Sequence, residues 1–168
     1  MDIEKLFRQA QKSSFKRWVL NFLLQRYIPF NRPHNLRIVQ LNEQMVRVGI
    51  PYKTKNFNHI KGLHACVLAT ASEFSSGLLL LYKLGFKKYR IIMKSMDVQY
   101  HYQGKKQAFA QFELSNQVFK KTIQDPLEKE GEVYVSCLIE TRDVDGNKLS
   151  TAETIWQIKS WEKVKTKT

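Results

Sequence analysis

The chain has 168 residues and 43% hydrophobic content, which suits one domain with a proper core and excludes a disordered segment. Its 28 Lys and Arg against 15 Asp and Glu give a net charge of +13, favouring a polyanion as partner: nucleic acid, anionic lipid or a phosphorylated small molecule. Two cysteines, Cys66 and Cys137, exclude a disulfide framework, and the first fourteen residues lack the apolar core of a signal peptide, so a cytoplasmic location is expected.

Residues 3–27 read as two helices broken near Ser13-Ser14. In the second, Phe15, Trp18, Val19, Phe22 and Leu23 recur at helical spacing, with Lys12, Lys16, Arg17 and Arg26 among them. Such a basic amphipathic stretch suits an anionic membrane surface. The expectation here is the commoner one, that it covers its own sheet or the mouth of a pocket. Pro29 and Pro33 end this region, so residues 1–30 form an N-terminal helical extension and 31–168 the main domain.

Strands are expected at 36–41 and 44–52. A polar loop, 53–62, then leads into a long helix over about 63–83, closed by Gly85. The longest unbroken apolar run, Leu78–Tyr82, is too short to span a bilayer. The remainder reads as strands: 88–102, a turn at Gln103-Gly104-Lys105, a two-sided strand over 107–122, one carrying Val133, Val135, Cys137 and Ile139 on one face, and a last over 149–162. Asp145-Gly146 is the hairpin between the last two. In the last strand Ala152, Thr154, Trp156 and Ile158 share a face. Both cysteines are expected as small buried hydrophobes, and the polar tail from Lys163 as frayed. Long strands, short turns and one long helix give an α+β class: an antiparallel sheet wrapped around a central helix, with N-terminal helices.

The stretch from Asn56 to Gly77 carries the chemistry. Loop amides at a helix start suit an anion or a polarised carbonyl. Glu73, alone among small and apolar residues, is costly without a task or a partner. Asn58-His59, Gly62, His64-Ala65, Leu68, Glu73 and Gly77 together resemble the motif of hot-dog fold thioesterase-like proteins related to the phenylacetate-pathway (PaaI-type) acyl-CoA thioesterases, in a branch with extra N-terminal helices. The resemblance covers most of the chain. It implies a hot-dog fold, acyl-CoA thioester hydrolysis with no cofactor, and the amide of Ala65 directed at the thioester carbonyl. Such enzymes usually show His-Gly-Gly where this chain has His64-Ala65-Cys66, and some carry a hydroxyl where it has Gly77.

Nine helical residues are 2.5 turns, so His64 and Glu73 point to opposite sides, separated by about 13 Å along the axis. One helix cannot aim both at one carbon. Two helices related by a two-fold axis can, which predicts a homodimer with composite sites, a tetramer being the further option. Glu73, Asn58 and His64 are therefore the catalytic candidates, with Gly62, Ala65, Ser76 and Gly77 as substrate-binding candidates. Glu73 would act as general base or nucleophile. Asn58 has an Asx turn as its alternative role, and His64 a capping role.

His59, His64, Cys66 and Glu73 match no zinc spacing, so no metal is expected. Lys87, Lys88, Arg90, Lys105, Lys106, Lys120 and Lys121 gather at strand ends, where they suit the phosphates of coenzyme A. Two other readings compete: a non-catalytic acyl-thioester or lipid-binding protein, from Ala65-Cys66 and Gly77, and a nucleic-acid-binding module, from charge alone. No nucleic-acid partner is expected, and membrane contact is not the favoured reading.

Overall fold

The computed structural model describes residues 3–85 and 87–164; the expected fraying beyond Val164 lies outside the described residues. Two helices come first, α1 (Ile3–Lys12) and α2 (Ser14–Tyr27), separated at Ser13, whose hydroxyl caps α2 by accepting from the Lys16 amide. Strands β1 (Arg37–Asn42) and β2 (Met45–Ile50) follow, then α3 (Ala65–Leu84). Gly85, at φ +81°, ends α3 in a backbone region open to glycine. Next come β3 (Tyr89–Tyr100), β4 (Ala108–Glu113), β5 (Glu132–Asp143) and β6 (Lys148–Ser160).

The six strands form one sheet in the order β1-β2-β4-β5-β6-β3, every neighbouring pair antiparallel. Period-two alternation decides which face is buried. Val46, Val48, Ala108, Ala110, Ile139, Ala152, Thr154 and Ile158 all turn inward. Against them lies α3, burying Phe74, Leu78, Leu79 and Leu80. By length and composition α3 would pass for a membrane span, but it is the helix the sheet wraps. The N-terminal helices join the same core through Leu6, Phe7, Ala10, Leu20 and Leu24, and Phe7 stacks on Tyr82 at 5.2 Å.

Three expectations change. The strand predicted over 107–122 ends at Glu113. Ser115 then caps a helical segment of α4 (Asn116–Phe119), a π-helical turn (Lys120–Gln124) and α5 (Asp125–Glu130). The alternation of 108–114 gives way there to a four-residue spacing, Phe119, Ile123 and Leu127, and the last two are buried. Cys66 is exposed while Cys137 is buried, because Cys66 lies on the side of α3 that the sheet leaves uncovered, whereas Val67 and Leu68 beside it are buried. The aromatic face of α2 points outward: α2 buries Leu20 and Leu24 instead, while Phe15, Trp18 and Phe22 are exposed.

Hydroxyls mark the seam between α3 and the sheet. The Ser72 and Thr141 hydroxyls meet at 3.3 Å, and those of Ser76 and Thr154 at 3.4 Å. The indole N–H of Trp156 donates to both Ser76 Oγ and Thr154 Oγ1.

Candidate active site

The loop before α3 is built by its own polar groups. Asn58 Oδ1 accepts from the amides of Ile60 and Gly62 at 3.1 and 2.9 Å, closing an Asx turn in which Lys61 takes φ +59°. The Leu63 amide donates to Gly104 O at 2.7 Å, and the His64 amide to Asn56 O at 2.8 Å. His64 caps α3: its Nδ1 accepts from the Cys66 amide at 3.1 Å, which puts the ring proton on Nε2. Among the described residues every amide from Gly62 to Cys66 therefore has an acceptor except that of Ala65. This free amide sits at the positive end of a 20-residue helix.

Around that donor is a groove of about 420 Å³, lined by Asn58, Ile60, Ala65, Leu68, Tyr100 and His101, among others. The side-chain NH₂ of Asn58 has no acceptor among the described residues, so it remains available to the groove. Tyr100 donates its hydroxyl to Ala65 O at 3.2 Å. Burial, with the nearby Cys66 thiol as second cause, pushes its phenol up from the ordinary value. His101 is held by Thr151 at 2.9 Å. Gly104 lets this wall close, because a Cβ there would lie 2.7 Å from Leu149 Cδ1.

Glu73 lies further along α3 on the stripe the sheet leaves uncovered: Cys66, Ala69, Thr70, Glu73. It is half-buried, and burial raises its carboxyl above the ordinary range. No described residue donates to it or pairs with it. It is not in the groove of its own chain. Ser76 and Gly77 are fully buried between α3 and the sheet, where Ser76 bonds Trp156 and Gly77 lies against the same indole. The substrate-binding role expected of these two does not fit that position. Gly62 serves the loop, its amide spent on Asn58 and its Cα facing Gln103. The structure thus brings together Asn58, Ala65 and the His64 cap, and sets Glu73 apart. Sequence reasoning missed Tyr100, His101 and Tyr102; the turn at Gln103-Gly104 was the available signal, since it returns the chain to Leu63.

Of the basic residues, Lys105 and Lys106 follow the turn that lines the groove, while Lys87, Lys88 and Arg90 lie at the opposite end of β3. Another depression, about 340 Å³, lies on the outer face of the sheet between Arg47, Phe109, Leu138 and Arg142. Its charges are engaged, Arg142 with Glu140 and Arg47 over the Phe109 ring, so it holds no reactive group. Among the described residues no three His, Cys, Asp or Glu side chains gather to hold a metal ion.

A six-stranded antiparallel sheet wrapped around one long helix defines a hot-dog fold. The chain belongs to the family described as a domain of unknown function (DUF4442), whose model matches residues 16–158. Among solved structures it is similar to a protein of unknown function from Pseudomonas aeruginosa, described as a probable thioesterase, at 22% identity and a TM-score of 0.78, over 85% of this chain and 95% of that one. It is also similar to a thioesterase from Haemophilus influenzae, at 11% identity and a TM-score of 0.70, over 93% and 98% of the two chains. A mutant thioesterase from Staphylococcus aureus matches at 12% identity and a TM-score of 0.63, over 78% and 98%. No curated protein matches the chain.

Proposed function

We propose that the protein is a homodimeric acyl-CoA thioesterase of the cytoplasm. The observation that carries this reading is the Ala65 amide: among the described residues it is the one unengaged amide from Gly62 to Cys66, it sits at a helix start, and it opens on a groove with the Asn58 carboxamide. A thioester carbonyl laid there would gain most as its oxygen becomes an oxyanion. Glu73 supplies the base. A carboxylate stripped of water and of partners is a stronger base than an exposed one. It takes a proton from water as the water oxygen attacks the carbonyl carbon. The tetrahedral intermediate then expels the coenzyme A thiolate, which takes up a proton, leaving a free acid. Direct attack by Glu73, giving an anhydride that water opens, is the other route.

The dimer joins the two parts. β3 is an edge strand of 12 residues with one side unpaired among the described residues, and long free edges invite a second strand. Antiparallel pairing of two β3 edges sets the Tyr89 end of one copy beside the Tyr100 end of the other. Lys87, Lys88 and Arg90 of one copy then adjoin the groove of its partner, where they would meet the phosphates of coenzyme A. The uncovered stripe of α3 faces the same partner, so Glu73 completes the other copy's site.

The test is hydrolysis of short, medium, long and aromatic acyl-CoAs by the wild type and Glu73→Gln. The reading expects turnover that falls by about 10²-fold or more in the variant. Equal rates remove Glu73 from the mechanism. Micromolar acyl-CoA binding without hydrolysis supports a thioester-binding protein instead, the reading that Ala65-Cys66 and Gly77 motivate.

A further inference from the structure

The outward face of α2 remains unused by this site. Phe15, Trp18 and Phe22 are 66%, 58% and 53% exposed, and their rings stack in sequence at 6.1 and 6.2 Å. Tyr27 and Phe30, beyond the end of this stack, are also exposed, at 74% and 68%. The helix cannot roll to bury it. Asn21, on its inner side, donates to Ile38 O at 3.0 Å and accepts from the Ile38 amide at 2.7 Å, while Leu20 and Leu24 enter the core. Three stacked, exposed aromatic rings on one pinned helix face need a partner.

Charge says which. From Lys5 to Asn42 the chain holds Lys5, Arg8, Lys12, Lys16, Arg17, Arg26, Arg32 and Arg37 and no Asp or Glu. The geometry points to a docking surface for an anionic lipid bilayer, with the aromatic ridge seated among the headgroups and the lysines and arginines against the lipid phosphates. Aromatic rings with a basic surround are the composition that membrane interfaces select. Single-stranded nucleic acid would also meet positive charge, but it needs open ring faces for its bases. Here the Trp18 ring is stacked on both sides, by Phe15 and Phe22.

The segment that follows α2 reaches the loop before α3. It ends at His34, whose Nδ1 lies 3.1 Å from Asn56 Oδ1, and Asn56 Nδ2 donates back to His34 O. Asn56 O in turn holds the His64 amide at the start of α3. This inference does not rest on hydrolysis.

The full chain is sedimented with phosphatidylcholine vesicles, with and without phosphatidylglycerol, at low and physiological salt. Binding to the anionic vesicles only, weakened by salt, is the expected result, with a blue shift of tryptophan emission that Trp18→Phe removes. Trp18→Ala/Phe22→Ala and Lys12→Glu/Lys16→Glu should each weaken binding by about tenfold or more. Because all four side chains point to solvent or its margin, circular dichroism should remain that of the wild type. No vesicle binding, equal binding by the variants, or competition by single-stranded oligonucleotide for the same tryptophans overturns the proposal. So does conversion of a dimer to a monomer by Trp18→Ala/Phe22→Ala, which would make the ridge a contact between copies.

Discussion

Gly77 lies face to face with Trp156: a Cβ at this glycine would sit 3.0 Å from the indole Cη2 and 3.2 Å from Cζ2. One turn of helix is thereby seated directly on the sheet, and the same indole is anchored by Ser76 and Thr154. Any side chain at 77 must displace a ring enclosed on every side. Gly77→Ser should cost about 1–3 kcal/mol by overpacking, read as a lower urea midpoint with unchanged slope. An unchanged midpoint would show that the indole yields freely.

Ser76→Ala removes one of two acceptors from the Trp156 N–H while Thr154 keeps the other. A loss of about 1 kcal/mol is expected, with hydrolysis rates retained because the hydroxyl faces the sheet. A selective loss of turnover at wild-type stability would return Ser76 to the site.

Glu73 gives a stability signature that needs no substrate. Burial raises its folded carboxyl above the ordinary value it has unfolded. The folded chain holds that proton more tightly, so its contribution is full below the ordinary carboxylate value and is lost as pH rises through the raised one. Glu73→Gln should match the wild-type Tm in acid and exceed it at neutral pH. Identical curves at every pH would mean the carboxylate is solvated in solution. A gain in stability bought at the cost of turnover is the usual mark of a working group.

Mixed dimers test the composite site directly. Glu73→Gln and Asn58→Ala chains, each inactive alone, should regain about a quarter of wild-type activity when unfolded and refolded together in equal amounts. Half the dimers are then mixed, each with one intact site. No recovery, despite mixed dimers visible by mass spectrometry, would place both residues in one chain's site.

The two thiols should differ sharply. Burial pushes the Cys137 thiol up to about 12, against a weaker opposing effect of Thr154, while Cys66 is exposed at the start of α3. Iodoacetamide should therefore add one label to the native chain, at Cys66, and a second only in denaturant. Acyl-CoA should slow the first labelling.

Much of this was legible in the sequence for a physical reason. Strands with a buried face write that face at period two, as Ala152, Thr154, Trp156 and Ile158 do, and all four are inside. The pairing of Asn58 with Gly62, and of His64 with the first turn of α3, is local and follows from side-chain length. Contacts distant in sequence are harder to read: nothing in Tyr100 itself announces that it reaches Ala65, 35 residues earlier, and only the nearby turn at Gln103-Gly104 hints at it. Periodicity also misled where a helix carries two apolar faces. Phe15, Trp18 and Phe22 form the stronger stripe, yet Leu20 and Leu24 are the buried one, because hydrophobic spacing finds a face without saying what covers it.

The hydroxyl seam under α3 acts as a key in a lock. Ser72 meets Thr141, and Ser76 meets Thr154 and Trp156, at fixed heights along the sheet. Sliding the helix by a single residue, about 1.5 Å, would break each of these contacts between helix and sheet. The seam thus sets the height of α3 on the sheet, and with it the level of the Ala65 amide beside the groove. Differences in ligand preference among relatives should then come from new side chains on the groove walls, with the helix left where it is.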